Sequence, residues 1–221
     1  MLATSSRTTR GTAPPGPVGA AQWGGKSVAV ALGDLDGDGD RDAVVARLAD
    51  CPRCKGFSQV WTNDGRGQFV DSGQRLAEGN AWDVALGDLD GDGDLDAFFS
   101  MGGFDELIPA FAVAGDPDRF GAGDQVWLND GRGAFADSGQ RLGHADGRGI
   151  ALGDLDGDGD LDALVANNRE TGFDDLGLPM TDVADIDSPL PVNRGQPDYV
   201  WVNQGGGRFV DSGLRVGERR G

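Results

Sequence analysis

Val30-Ala-Leu-Gly-Asp-Leu-Asp-Gly-Asp-Gly-Asp40 recurs without change at Val84 to Asp94, and Ile150 opens a third copy that runs to Asp160. Each copy is followed by an apolar run (Ala43 to Ala46, Ala97 to Ser100, Ala163 to Ala166), a variable insert and a Val-Trp pair at Val60-Trp61, Val126-Trp127 or Val200-Trp201. A short turn comes next, Asn-Asp-Gly-Arg-Gly at Asn63 and Asn129 and Asn-Gln-Gly-Gly-Gly at Asn203, before a last run through Phe69, Phe135 or Phe209 into Asp-Ser-Gly. A fixed order of parts repeated three times outranks any single motif as evidence of architecture. The Gly-rich turn suits a hairpin that needs positive φ. Each unit therefore reads as four short strands, joined by an aspartate loop, an insert and a turn.

Strands close enough in sequence to pair as hairpins make one antiparallel sheet per unit. Four-stranded units repeated along a chain are the pattern of β-propeller blades, which bury Trp and apolar side chains between neighbours. The expected fold is all-β: a β-propeller built of four-stranded antiparallel blades, three of them encoded here. The division is an arm rich in Gly, Pro, Ser and Thr over residues 1–25, blade 1 over 26–80, blade 2 over 81–145, blade 3 over 146–217 and a tail over 218–221. Trp61, Trp127 and Trp201 recur at one place in the unit and are read as core residues between blades.

Composition agrees. The 39 glycines and short apolar runs describe many turns between short strands, and 221 residues are enough for a sizeable core. Of the 37 acidic residues, 15 stand in three nine-residue loops, and without those fifteen charges the net −18 would be −3. Acidity concentrated in this way points to a cation, not to a generally acidic surface, and nothing in the charge balance favours nucleic acid. No run of about 18 apolar residues is present to span a membrane. Met1 to Gly25 lacks the apolar centre of a secretory signal, so an exported form would have lost its signal or belong to a longer chain. Cys51 and Cys54 form a lone Cys-Pro-Arg-Cys, readable as half a zinc or redox site, a local disulfide or two free thiols.

Alternate carboxylates in a tight loop, with glycine at the sharp turns between them, give a hard cation the six to eight oxygens it prefers. The bland reading, an acidic solvated turn without metal, must accommodate four to five like charges within a few ångströms, three times over. An EF-hand would need a Glu at position 12 and flanking helices. Position 12 here is Val45, Phe99 or Val165, inside β-prone runs.

Over roughly residues 27 to 217 the chain resembles the calcium-binding repeats of the FG-GAP and VCBS type, found in integrin α-subunit propellers and many bacterial exported proteins. The resemblance implies three Ca²⁺ sites, with side chains at loop positions 1, 3, 5 and 9 and the carbonyl of position 7 as ligands. In the first loop these are Asp34, Asp36, Asp38, Asp42 and the carbonyl of Asp40, and in the second Asp88, Asp90, Asp92, Asp96 and the carbonyl of Asp94. The third offers Asp154, Asp156, Asp158, Asp162 and the carbonyl of Asp160. Extracellular calcium modules bind with Kd on the order of 10⁻⁴ to 10⁻³ M, which would leave such sites empty in the cytosol, so a secreted or cell-surface protein is expected.

Within a blade the aspartate loop and the Gly-rich turn should share one side and the inserts (about Leu48 to Ser58, Met101 to Asp124 and Asn167 to Asp198) the other. Long loops on one face of a rigid scaffold are where recognition usually sits. Matched positions differ there: Glu78 aligns with His144, and Val28, Trp82 and Arg148 align with one another. One reading is a ligand face for a protein or carbohydrate containing Trp82, His144, Asp146, Arg148, Phe104, Phe111 and Phe173; the other is surface loops packed on neighbouring blades.

Three blades fall short of the four to eight of a closed propeller, so two blade faces need covering by a second copy, by a partner's blades or by the rest of a longer chain. Gly213 to Gly217 reads as the lead-in to a fourth unit and favours the longer chain. With one histidine and no Ser-His-Asp set, the expectation is a calcium-binding adhesion or interaction module and not an enzyme. The alternative is a carbohydrate-active lyase or hydrolase, or its non-catalytic propeller portion.

Overall fold

The computed structural model describes residues 25–49, 56–102, 123–143, 146–167 and 197–216. The predicted arm up to residue 24, both cysteines, His144, Phe104, Phe111 and Phe173 lie outside the described residues. Among the described residues there are twelve strands: β1 (Gly25–Gly33), β2 (Asp42–Ala49), β3 (Ser58–Asn63), β4 (Phe69–Leu76), β5 (Ala81–Gly87), β6 (Asp96–Met101), β7 (Gln125–Asn129), β8 (Phe135–Asp137), β9 (Gly147–Gly153), β10 (Asp162–Asn167), β11 (Asp198–Asn203) and β12 (Phe209–Val216). They form three separate four-stranded sheets, each pairing its strands in chain order. Every pairing is antiparallel. This is the expected all-β, blade-like architecture.

Side chains alternate across a strand, so neighbouring residues of one sheet serve two different cores. Phe98 and Phe99 on β6 are both fully buried. Phe99 packs with Val44, Val60 and Leu76 of the first sheet, whereas Phe98 packs with Ala163, Val165 and Trp201 of the third. All of β6 is buried because the middle sheet is covered on both faces. Trp201 is 4 % exposed in the second of these cores and Trp127 is partly buried against the first. Trp61 is half-buried, since among the described residues no sheet lies against its side of the first sheet.

Polar side chains lock the stacked sheets in register. Asn129 donates through Nδ2 to the Leu35 carbonyl of the first sheet's loop (2.8 Å), and Asn203 donates to the Leu89 carbonyl of the second (2.7 Å). Gln74 at the end of β4 donates to the Gly133 carbonyl and accepts from the Phe135 amide, and Gln140 makes the same pair of bonds with Gly207 and Phe209. Asp83 accepts from the Ile150 amide of the next sheet (3.0 Å). Close approach at these junctions requires glycine. A Cβ on Gly33 would strike Leu95 and Leu86 of the second sheet, and one on Gly87 would strike Leu161 and Leu152 of the third.

Asp124, 4 % exposed, is the most consequential buried acid. Its carboxylate accepts from the Met101 amide (3.0 Å) and from Trp201 Nε1 on the third sheet (3.3 Å). Burial pushes its pKa up to about 7, more than those two donors can offset. The native state therefore holds a proton that the unfolded chain releases, and stability should fall as pH rises from about 4 to about 7.

Two outcomes are expected. Asn203→Ala leaves the buried Leu89 carbonyl without its donor and should cost roughly 1–3 kcal/mol in urea unfolding. Asp124→Asn should flatten the decline of stability between pH 4 and 7 relative to the unaltered protein, a difference on the order of a few kcal/mol in denaturant titrations run at both ends of that window.

Candidate metal centre

Each aspartate loop joins the first and second strands of its sheet. Glycines at its fourth and sixth positions take positive φ, 76° and 92° at Gly37 and Gly39, which turns the chain sharply enough for alternate carboxylates to converge. The first carboxylate closes the loop from inside: Asp34 accepts from the amides of Gly37 (2.9 Å) and Gly39 (3.0 Å), and Asp88 accepts from Gly91 and Gly93. Asp36 accepts from the Asp38 amide, and Asp38 in turn from that of Asp40.

The ninth carboxylate anchors the loop to the sheet. Asp42 accepts from the Leu35 amide (3.0 Å) and from the Asn63 amide at the start of the Gly-rich turn (2.8 Å). Asp96 repeats this with Leu89 and Asn129, and Asp162 with Leu155 and Asn203. All three anchors are fully buried. The loop and the turn thus lie side by side, as the alternation of strand direction requires. A Cβ on Gly65 or Gly131 would collide with the carboxylate of Asp40 or Asp94.

These contacts gather Asp34, Asp36 and Asp42, then Asp88, Asp90 and Asp96, then Asp154, Asp156 and Asp162, with one carboxylate oxygen of each residue within 4.8 Å of the others. Asp38, Asp92 and Asp158, named with them from the sequence, accept from the amides two residues on, as Asp36, Asp90 and Asp156 do, but are not among the three carboxylates gathered in each loop. Burial and then the neighbouring carboxylates raise the pKa of Asp36, Asp90 and Asp156. For Asp96 burial is again the leading cause, and its pKa is pushed up to about 6. Carboxylates held together against their own repulsion, all offering oxygen, are a donor set that fits a hard divalent cation such as Ca²⁺. Asp34, Asp36 and Asp42 and their equivalents would hold it.

An FG-GAP-like repeat model matches residues 34–99 and 111–165, more than half of the chain, and the matched spans contain all three aspartate loops. The chain belongs to the FG-GAP-like repeat family. No curated protein matches it. In this FG-GAP repeat protein the site residues legible in the sequence were the aspartates. The asparagines that start the Gly-rich turns look like turn formers in the sequence, although their recurrence in all three units is a signal of a shared role. Asn129 and Asn203 connect one loop to the next sheet.

Of the side chains proposed for a ligand face, Trp82, Asp146 and Arg148 come together. The Arg148 guanidinium lies 3.5 Å from the Trp82 ring centroid and 2.7 Å from the Asp146 carboxylate. Trp82 stands on β5 and Arg148 on β9, so the cluster bridges the second and third sheets.

Removal of the buried anchor and removal of an exposed loop carboxylate should separate fold from metal. Asp96→Ala strands two amides and is expected to destabilise the protein by roughly 2–4 kcal/mol even in the presence of a chelator. Asp92→Ala should change chelated stability by less than about 1 kcal/mol, as read by chemical denaturation.

Proposed function

We propose that this FG-GAP repeat protein is a calcium-stabilised interaction module that works outside the cell, with a protein or carbohydrate as its partner on the insert side. The observation that carries this reading is the grouping of three oxygen donors in each of three loops that differ only at their eighth position, Arg41, Leu95 or Leu161. Each of the first two loops is also wired to the next sheet through one residue. Leu35 gives its amide to Asp42 and its carbonyl to Asn129, and Leu89 gives its amide to Asp96 and its carbonyl to Asn203. A cation neutralising the carboxylates would thereby steady the junction between sheets as well as its own loop.

The proposed role is binding, not catalysis. Arg148, Asp146 and Trp82 spend their charge and aromatic face on one another between two sheets, which suits a rigid platform whose inserts vary. At millimolar calcium and a Kd typical of extracellular modules, each site would add roughly 0.5–1.5 kcal/mol through mass action.

Calorimetric titration of chelator-treated protein with Ca²⁺ should give about three sites per chain, and the melting temperature should rise by several degrees in millimolar calcium. An absence of binding heat together with an unchanged melting temperature would sink the calcium reading.

A further inference from the structure

The large hydrophobic side chains exposed among the described residues all belong to the two outer units: Val28, Val30, Leu32, Phe69 and Val70 on the first, Leu155, Leu214 and Val216 on the third. Their counterparts in the repeat show what each would meet. Val30 is 60 % exposed, whereas Val84, the same position in the second unit, is 5 % exposed against the first sheet. Leu155 is 55 % exposed, whereas Leu35 and Leu89 are 1 % and 2 % exposed beneath the following sheet. Val216 is 47 % exposed, against 2 % and 9 % for Leu76 and Leu142. The first unit thus bares the backward half of a junction that the chain builds twice internally, and the third unit bares the forward half.

We propose that these two faces dock on each other between two copies of this chain, the third sheet of one copy seating the first sheet of the next. The pairing of parts is specified by the two internal junctions. Gly33 and Gly87 receive Leu86 and Leu152 of the following sheet, while nothing lies within 4 Å of a Cβ built on Gly153; Leu32 is the equivalent leucine and is 53 % exposed. Gly133 and Gly207 lie against Asp36 and Asp90 of the preceding loop, while Gly67 has open space and Asp156 is exposed. Asn63 occupies the place from which Asn129 and Asn203 reach a loop carbonyl, and Leu155 carries the matching carbonyl.

Two positions depart from the internal pattern, and both departures are complementary. The Gln74 and Gln140 pins become Leu214, 64 % exposed, which would meet the exposed Phe69. Leu95 and Leu161 become Arg41, which would come to Gly153, next to the acidic loop that begins at Asp154. A contact between unlike faces closes into a ring or runs on as a filament. Two copies supply six units, inside the range of about four to eight of closed propellers. The proposal stands independently of whether calcium fills the loops.

Sedimentation of the whole chain across micromolar to submillimolar concentrations, with and without calcium, tests it with two single variants. Val30→Asp blocks the first-unit face and Leu155→Asp the third-unit face. Both side chains are exposed, so circular dichroism and melting should show each variant folded. The unaltered chain is expected at twice the monomer mass, each variant alone as monomer, and an equimolar mixture of the two variants again at twice the mass, because each supplies the face the other lacks. A monomeric unaltered chain at every concentration would overturn the proposal, as would a dimer lost with Val30→Asp but kept with Leu155→Asp, which would mean like faces paired.

Discussion

The ninth carboxylate of each loop, Asp42, Asp96 or Asp162, accepts one amide from within its loop and one from the neighbouring Gly-rich turn while lying fully out of solvent. Burying a charged group is costly unless hydrogen bonds compensate it. Two donors serve each anchor, although at Asp96 they do not fully offset burial, and in return the carboxylate fixes where the loop sits on its sheet. The first and third aspartates of the loop bring an oxygen to the same point. The carboxylate cluster thus rests on two supports, the loop's own bonds to Asp34 and Asp36 with its glycine turns and the ninth carboxylate that fixes the loop on its sheet.

The same anchor reaches the next sheet. Leu35 and Leu89 bury their side chains at the junction, pass their amides to the anchor and offer their carbonyls to Asn129 and Asn203. In a stack where each unit touches only its neighbours, stability is close to a sum of unit and junction terms. The loops sit where those two kinds of term meet. Leu155 has the same sequence context as Leu89, but no sheet among the described residues covers it. Three loops alike at every position but the eighth thus occupy two environments, two covered by a following sheet and one at an open face.

The outer rims carry a separate, more solvated set of contacts. Asp71, Asp137 and Asp211 pair with Arg75, Arg141 and Arg215 four residues on, and each guanidinium holds its carboxylate below the ordinary range. Exposed pairs of this kind add little to stability. They recur because the Asp-Ser-Gly turn recurs, with Gly73, Gly139 and Gly213 at positive φ and their amides bonded to the aspartate. The energetic weight lies inward, in the alternation that sends Phe98 to one core and Phe99 to the other.

The strands, their antiparallel order and the aspartate loops were determined by sequence alone, because local spacing governs them: turns at fixed offsets, period-two apolar runs and glycines between carboxylates. The identity of the three gathered oxygens was not. Asp34, Asp36 and Asp38 look alike in the sequence, and only the folded loop, closed on itself and held to its sheet by Asp42, shows that Asp34 and Asp36 bring an oxygen to Asp42. Asp124 likewise reads as an ordinary insert aspartate until Trp201, distant in sequence, closes over it. Cross-linking of sheets by Asn129, Asn203, Gln74 and Gln140 belongs to the same class. These are contacts between residues far apart along the chain, and it is the stacking of sheets that sets which polar groups must be paired and which apolar faces are left bare.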